Sequence, residues 1–170
     1  MAEYKYKDLE DKTKIPGHCT VFHCYNNNLT ELPELPNLLY YLYCTYNNLK
    51  SLPELPYSLI ELICSNNNLT ELPELPNTLI LLACSNNNLT ELPVLPNSLQ
   101  YLACSNNKLT ELPELQMTLK ELRCNNNKIK YLSPNNCQVM KKCKLIIVSN
   151  NPFSLGYTSN NDFKGYLMNL

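Results

Sequence analysis

The sequence is poor in residues that several function classes need. Only three glycines occur among its 170 residues, which excludes a glycine-rich phosphate-binding loop. The longest purely aliphatic run, Leu145 to Val148, is far too short to span a bilayer. The first 14 residues contain no apolar stretch typical of a secretory signal. We therefore expect neither a membrane anchor nor an ordinary export route.

A strong charge of either sign is also missing. The 14 basic and 15 acidic residues leave a net charge of −1, so no global field attracts nucleic acid or an anionic membrane. Nucleophile–base pairs of the hydrolase type are not evident, because both histidines, His18 and His23, lie near the N-terminus. We predict no nucleic-acid partner, no membrane partner, no cofactor and no enzymatic activity.

Cysteine is abundant, and its spacing is regular. The nine cysteines are an odd number, and six of them recur every 20 residues. Such spacing marks one position of a repeat and argues against a disulfide framework. It favours a reducing, intracellular setting. The six are Cys24, Cys44, Cys64, Cys84, Cys104 and Cys124.

Alignment on these cysteines divides the chain into repeats of the pattern LxxLxCxxNxLxxLPxLPxx. Four regular 20-residue units begin at positions 39, 59, 79 and 99, and a drifted unit begins at 19. A unit of 24 residues begins at 119, and a partial unit covers 143–153. We predict seven repeats over 19–153, an N-terminal cap over 1–18 and a C-terminal cap over 154–170.

Each repeat predicts one short strand. Alternate strand residues face opposite sides, so Leu42 and Cys44 point into the coil and Tyr43 points outwards. One strand per turn builds a parallel sheet on the concave side of a solenoid. Paired prolines such as Pro53 and Pro56 exclude a helix from the convex side of most turns and favour extended, polyproline-like segments.

The long sixth unit differs on the convex side. Ser133 and Pro134 indicate the N-cap and first residue of a short helix that runs to about Lys142. Asn161 and Asp162 indicate a second helix start in the C-terminal cap. The predicted fold class is an α/β-type repeat solenoid that is predominantly β, with short helices near its C-terminal end.

The repeat resembles that of the leucine-rich repeat family, LxxLxLxxNxL, with cysteine in the third apolar position. Its doubled LPxLP ending is similar to the short class of bacterial effectors of the YopM and IpaH kind. The Cys-Ser-Asn-Asn-Asn units are similar to repeats in proteins of large DNA viruses. Effectors of the IpaH kind carry a ubiquitin-ligase domain after their repeats. Only 17 residues follow the last repeat here, so we do not expect that activity.

An asparagine occupies the ninth position of the repeat. A coil that turns sharply after its strand leaves backbone N–H and C=O groups inside the solenoid, and an inward amide side chain can satisfy both. We predict that this asparagine ladder is structural and binds no ligand. Its members are Asn27, Asn47, Asn67, Asn87, Asn107, Asn127 and Asn151.

The cysteines permit two interpretations, thiol or metal chemistry and core packing. Core packing is favoured, because a buried thiol is a small hydrophobe whose pKa is raised, which makes it unreactive. Cys137 and Cys143 lie off the repeat position or at its end, and we expect these two thiols to be exposed.

One cluster, made of His18, Cys19, His23 and Cys24, has the residue types of a zinc site. The repeat register points Cys19 and Cys24 inwards and His23 outwards, whereas tetrahedral zinc needs all four ligands to converge. We therefore predict no metal site.

A column of glutamates follows the strands and also permits two interpretations. It is either a solvated face that keeps the solenoid soluble, which we favour, or an acidic stripe that attracts a basic partner. Its members are Glu31, Glu34, Glu54, Glu71, Glu74, Glu91, Glu111 and Glu114.

The outward strand positions vary from turn to turn and collect aromatic and aliphatic residues. In the loop, Tyr46 replaces the asparagine of its neighbours. An exposed patch of this kind marks an interaction site, and tyrosine is favoured at binding hot spots. The alternative is that such residues merely suit a parallel sheet and stack along it. The predicted partner-binding residues are Tyr41, Tyr43, Tyr46, Ile63, Leu81, Ala83, Tyr101, Ala103 and Arg123.

Together these features predict a non-catalytic module that binds another protein on its concave face. The family resemblance suggests a pathogen or viral protein directed at host components. The alternative is a structural repeat protein that self-associates through the same patch or through an open end of the solenoid. An enzyme is the remote alternative, because no part of the sequence combines the groups that catalysis needs.

Overall fold

The computed structural model describes residues 1–154 and Gly165. Within residues 1–154, one α-helix, α1 (Pro134–Lys142), lies between the last two strands, and 3-10 helices occupy Tyr6–Asp8 and Pro152–Ser154. The strands are β1 (Glu3–Lys5), β2 (Val21–His23), β3 (Tyr41–Tyr43), β4 (Glu61–Ile63), β5 (Leu81–Ala83), β6 (Tyr101–Ala103), β7 (Glu121–Arg123) and β8 (Leu145–Ile147).

All eight strands form one parallel sheet in sequence order. Leu42 of β3 is aligned with Leu62 of β4, and Leu62 is aligned with Leu82 of β5. The aligned partners are one repeat apart in sequence, because successive turns of the coil place equivalent repeat positions side by side. The predicted repeat solenoid with its parallel sheet is therefore confirmed.

The core is a continuous column of inward residues. In β2 to β7 the middle residue of the strand and the cysteine that follows it point inwards, and Leu62 and Cys64 have no exposed surface. Leucines at the other apolar positions of the repeat, such as Leu49 and Leu59, are fully buried with them. A buried leucine stabilises the fold by roughly 1.5–3 kcal/mol, and each turn needs its neighbours to bury these side chains.

The proline segments of the convex side contain neither helix nor strand. Each ends in a turn, in which the N–H of the next leucine donates to the carbonyl of the second proline, as from Leu59 to Pro56 at 3.0 Å. Proline lacks the N–H that a helix needs, so the chain crosses the convex side without one. Gln116 replaces this proline in the fifth unit and accepts the same hydrogen bond from Leu119 at 2.9 Å.

Helix α1 begins where the sequence predicts. The Ser133 hydroxyl accepts a hydrogen bond from the N–H of Asn136 at 3.1 Å, and Pro134 is the first helical residue. The buried amide of Asn136 also accepts from the N–H of Leu115 at 2.8 Å and donates to the carbonyl of Pro113 at 3.1 Å. The second helix start, at Asn161 and Asp162, lies outside the described residues.

The N-terminal residues contribute a strand that the repeat pattern does not predict. β1 pairs with β2, and Leu9 and Ile15 join the core. The Lys12 ammonium donates to the carbonyl oxygens of Tyr6, Lys7 and Leu9, each at 2.7 Å, and so closes the 3-10 turn. Glu3–Lys5 lacks the leucines and cysteine of the repeat, so periodicity could not reveal it.

The expectation that the thiols of Cys137 and Cys143 are exposed is wrong for Cys143. Cys137 is half-buried, but Cys143 has only 1% of its surface exposed. Its thiol donates to the carbonyl of Leu119 at 3.4 Å. Cys143 takes the first, inward position of the seventh repeat, which Leu119 fills in the sixth, and the core therefore covers it.

None of the helices among the described residues combines the length and the apolar character that crossing a membrane requires.

Candidate functional site

The outward residues of the strands form one surface. In β2 to β6 and in β8, the middle residue is buried and the first and third residues are half-buried. We call the surface made by these first and third residues in β1 to β8 the concave face. Eight of the nine predicted partner-binding residues lie on it. Tyr46, the ninth, follows β3 in the loop.

Aromatic rings stack along the N-terminal part of the concave face. His23 and Tyr43 are aligned neighbours in β2 and β3, and their ring centroids are 4.9 Å apart with 26° between the planes. Tyr41 is stacked beside Tyr43 at 6.5 Å, and Tyr25 meets His23 edge-on at 6.1 Å. We call these four residues the aromatic cluster. Offset-stacked and edge-on pairs of this kind stabilise each other beyond the area they bury.

A carboxylate lies at each end of the aromatic cluster. Glu3 Oε1 is 3.1 Å from Nε2 of His23, and the Tyr43 hydroxyl donates to Oε2 of Glu61 at 3.1 Å. Burial, followed by this hydrogen bond, raises the pKa of Tyr43 to about 12. The hydrogen bond holds the ring of Tyr43 beside Glu61.

The middle of the concave face is apolar. Leu81 of β5 is aligned with Tyr101 of β6, and Ala83 is aligned with Ala103. Ile63 of β4 is aligned with Ala83. The side chain of each alanine is a single methyl group, so the backbone of the sheet is less covered there than at the larger neighbouring residues.

Arg123 ends this apolar stretch. It is aligned with Ala103, and half of its side chain, 51%, is exposed. Its guanidinium lies 3.9 Å from the carboxylate of Glu121, too far for a hydrogen bond. The donors of the guanidinium therefore remain accessible to an acceptor from outside.

Tyr46 has a backbone conformation that is unfavourable for its residue type. Its φ is +55°, in the left-handed region, and 63% of its surface is exposed. The equivalent positions of the other turns adopt the same φ and all carry asparagine, which tolerates it. The repeat therefore tolerates strain at Tyr46 that asparagine would relieve.

The asparagine ladder lies inside the coil. Asn47 Oδ1 accepts from the N–H groups of Asn27 and Leu29 at 3.0 and 2.9 Å, and its amide nitrogen donates to the carbonyls of Cys24 and Cys44 at 2.8 and 3.1 Å. At the later positions of the ladder the amide oxygen accepts from one backbone N–H of the preceding turn, and the amide nitrogen donates to one carbonyl of that turn and one of its own. These positions are Asn67, Asn87, Asn107, Asn127 and Asn151.

Asn27 is the exception in the ladder. It is half-exposed, and its amide donates to the carbonyl of Tyr25 at 2.8 Å. Asn27 lies in the first repeat. Its side-chain oxygen therefore has no preceding repeat whose backbone N–H could donate to it.

The cysteine column is inert. Burial raises the pKa of Cys84 and Cys124 to about 12 and that of Cys104 well above its ordinary value. A thiol held neutral in this way is a poor nucleophile and a poor metal ligand.

The N-terminal cluster of zinc-type residues is not brought together. Cys19 and Cys24 are fully buried, whereas His18 accepts or donates a hydrogen bond at 2.6 Å with the Tyr4 hydroxyl. Among the described residues, no three His, Cys, Asp or Glu side chains are placed to share a metal ion.

The glutamate column is solvated. All eight of its members are exposed. None of them forms an ion pair with a residue that the structure describes, which favours the interpretation as a solubilising face.

Comparisons with known proteins agree with this geometry. The chain superimposes on the solved leucine-rich repeat domain of a Shigella effector with a TM-score of 0.81 and 34% sequence identity, over 89% of this chain and 70% of that domain. The chain belongs to the leucine-rich repeat family. Neither a family model nor a curated protein sequence matches it.

Two YopM structures are also similar to this leucine-rich repeat protein. YopM from Yersinia enterocolitica WA-314 is 38% identical with a TM-score of 0.75, over 81% of this chain and 30% of that one. YopM from Yersinia pestis is 33% identical with a TM-score of 0.66, over 81% and 45%. The chain thus spans less than half the length of either YopM chain.

The predicted partner-binding set of this leucine-rich repeat protein leaves out several residues around the aromatic cluster. His23 and Tyr25 complete the cluster, and Glu3 and Glu61 lie at its ends. The register already points His23, Tyr25 and Glu61 outwards, but it does not reveal that they contact the predicted tyrosines. Glu3 could not be found in this way, because β1 lies outside the repeat pattern.

Proposed function

We propose that this leucine-rich repeat protein is a non-catalytic module that holds a partner protein on its concave face. One observation carries the proposal. Along the third strand position the aligned residues of β3 to β6 are all aromatic or aliphatic, and two further apolar residues lie at the first position of β5 and β6. These half-buried residues are Tyr43, Ile63, Ala83 and Ala103, with Leu81 and Tyr101 beside them. A contiguous surface of this composition is typical of interaction sites, in which buried aromatic anchors supply most of the binding free energy.

The chemistry of the chain supports a binding role over catalysis. Eight of its nine cysteines are buried, and burial raises the pKa of the Cys84, Cys104 and Cys124 thiols. Burial and the hydrogen bond to Glu61 likewise raise the pKa of Tyr43. A nucleophile or general base needs a pKa near the working pH, and these groups are shifted away from it. The solved relatives are bacterial effectors, and on that likeness we propose a pathogen or viral protein that acts on host components in a reducing compartment.

The test is a capture experiment with two matched variants. Ile63→Asp/Leu81→Asp places two carboxylates on the concave face, and Val94→Asp places one on the convex side, where Val94 is 84% exposed. Immobilised wild type and variants are incubated with host-cell lysate, and bound proteins are quantified by mass spectrometry. We expect the concave variant to lose the specific partners and Val94→Asp to retain them. Equal capture of every specific partner by all three chains would contradict the proposal.

Self-association is the second candidate function. Within the described residues, β1 has a strand neighbour on one side only, so the sheet has an open edge at this end. Light scattering across a concentration series distinguishes the two functions. A mass that rises with concentration would identify a second copy as the partner. A rise that persists in Ile63→Asp/Leu81→Asp would favour pairing at the open edge of β1, and a rise that this variant abolishes would favour the concave face.

A further inference from the structure

A notch lies in the concave face where two strands carry alanine. Along the third strand position, the aligned residues of β4 to β7 are Ile63, Ala83, Ala103 and Arg123. Adjacent strands are about 4.8 Å apart, so Ile63 and Arg123 are separated by about 14 Å of sheet that only two methyl groups cover. We call this depression the alanine notch. Ala83 and Ala103 each project only a methyl group from the sheet, so a side chain of a partner can approach the backbone more closely here than at Ile63 or Arg123.

The long sides of the alanine notch differ in character. Leu81 and Tyr101, at the first position of β5 and β6, form an apolar wall. On the other side, the N–H of Ser105 donates to the Ser85 hydroxyl at 3.1 Å, and the Ser105 hydroxyl donates to Oδ1 of Asn125 at 2.6 Å. An apolar floor with one polar rim is the usual arrangement of a pocket that receives an anchor side chain.

Arg123 gives the notch a charge at one end. It is the sole arginine of the chain, its guanidinium is half-exposed, and its nearest carboxylate lies 3.9 Å away. A carboxylate suits this position, because the planar guanidinium donates two parallel hydrogen bonds to it. A doubly charged phosphate suits it less, since Glu121 beside Arg123 would repel it more strongly.

We propose that the alanine notch receives one large apolar side chain of an extended segment of the partner protein, and that Arg123 binds an aspartate or glutamate of the same segment. The inference rests on the proposed function and names the chemistry of the segment. The apolar side chain supplies contact area on Ala83 and Ala103 against Leu81 and Tyr101. The carboxylate sets the direction in which the segment lies along the face, because Arg123 stands at one end only.

A peptide selection tests the proposal with a defined probe. Random 12-residue peptides displayed on phage are selected on the immobilised full chain and eluted with the soluble chain. We expect the enriched sequences to combine Phe, Leu, Met or Trp with Asp or Glu within a few positions. The dissociation constants of synthetic versions are then measured by fluorescence polarisation. Failure to enrich any peptide that the soluble chain displaces overturns the proposal.

Variants that fill the notch test the anchor. Ala103→Leu, and the milder Ala103→Val, add volume on the outward side of β6 and leave the buried column unchanged. We expect at least a tenfold rise in the dissociation constant for Ala103→Leu and a smaller rise for Ala103→Val. Glu91→Leu adds the same side chain at an exposed position away from the sheet and should change nothing. Unchanged binding by a folded Ala103→Leu, as judged by its melting curve, overturns the anchor.

A charge reversal tests the carboxylate. Selection on Arg123→Glu should enrich lysine or arginine where the wild type enriches aspartate or glutamate. Wild-type peptides should bind Arg123→Gln about tenfold more weakly, and this difference should shrink at high salt, as expected for a half-exposed charge pair. Identical enrichment on both chains refutes the role of Arg123.

The same variants separate failure of the notch from failure of the proposed function. In one outcome, peptides fail to bind Ile63→Asp/Leu81→Asp but bind Ala103→Leu and Arg123→Gln as tightly as the wild type. That result would support binding on the concave face and contradict the role of the alanine notch. Peptides that are indifferent to all of these changes refute both.

Discussion

Asn87 and Leu69 connect two consecutive turns of the solenoid from the inside. Oδ1 of Asn87 accepts a hydrogen bond from the N–H of Leu69 at 3.0 Å, and its amide nitrogen donates to the carbonyls of Cys64 and Cys84, both at 3.1 Å. Only 8% of Asn87 is exposed, so water cannot take over these contacts. One side chain therefore satisfies backbone groups from two turns.

Replacing this asparagine should destabilise the chain strongly. Asn87→Ala leaves the buried N–H of Leu69 without its acceptor, whereas the carbonyls of Cys64 and Cys84 each keep one donor, from Asn67 and Asn107. We therefore expect a loss of about 2 kcal/mol in the free energy of unfolding. Asn27→Ala is the matched control, since Asn27 is half-exposed and its amide bonds only to Tyr25, and it should cost less than about 1 kcal/mol. Urea unfolding followed by circular dichroism measures both. Equal losses would mean that the ladder position stabilises through residue type and not through burial.

Tyr46→Asn should stabilise the chain. A left-handed φ costs a tyrosine more than an asparagine, and the exposed ring buries little area in return, so we expect a gain of about 1 kcal/mol. Tyr57→Asn is the control, because Tyr57 is 91% exposed and has no positive φ. If Tyr46 contacts the partner, as the sequence predicts, the stabilised variant should also capture less of it. A melting temperature that falls would refute the strain argument.

Thiol labelling should distinguish Cys137 from the other cysteines. Cys137 is half-buried, whereas the remaining eight of the nine are buried. The native chain should react with a single equivalent of an aromatic disulfide reagent, and Cys137→Ser should not react. Denaturant should release the rest. Peptide mapping that finds label on Cys143 in the native chain would show that its position in the core opens readily.

Stability should fall in alkaline solution. Burial raises the pKa of Cys84 and Cys124 to about 12, whereas an unfolded thiol titrates near 9. The folded chain therefore retains protons that the unfolded chain loses, and the stabilisation is complete below pH 9 and disappears as pH rises towards 12. At about pH 10.5, each such thiol should cost about 2 kcal/mol relative to pH 8.

The alkaline effect is tested by comparing variants across pH. Cys84→Ala should reduce the drop in unfolding free energy between these two pH values, whatever its effect at pH 8. Cys137→Ala, which removes a half-buried thiol, should reduce it less. A drop of the same size in wild type and Cys84→Ala would assign the pH dependence to other groups.

The repeat explains how much of the fold is predictable. Its register assigns the buried leucines and cysteines correctly, and Ser133 with Pro134 identifies the start of α1, because capping and periodicity are local properties of the chain. β1 escapes the pattern, because its residues lack the repeat and it forms only by pairing with β2. The burial of Cys143 follows from the register, since Cys143 occupies the first, inward position of the seventh unit, and the expectation of an exposed thiol overlooked that position.

The candidate site, like the fold, was predictable only in part from the sequence. By itself the sequence determined which strand positions face outwards, and hence that Tyr43, Ile63 and Arg123 share one surface, since side chains alternate along a strand. Only the tertiary structure decided how those side chains meet. The stacking of His23 on Tyr43, the hydrogen bond from Tyr43 to Glu61 and the left-handed backbone of Tyr46 are set by distances and torsions across turns, which a periodic pattern does not contain.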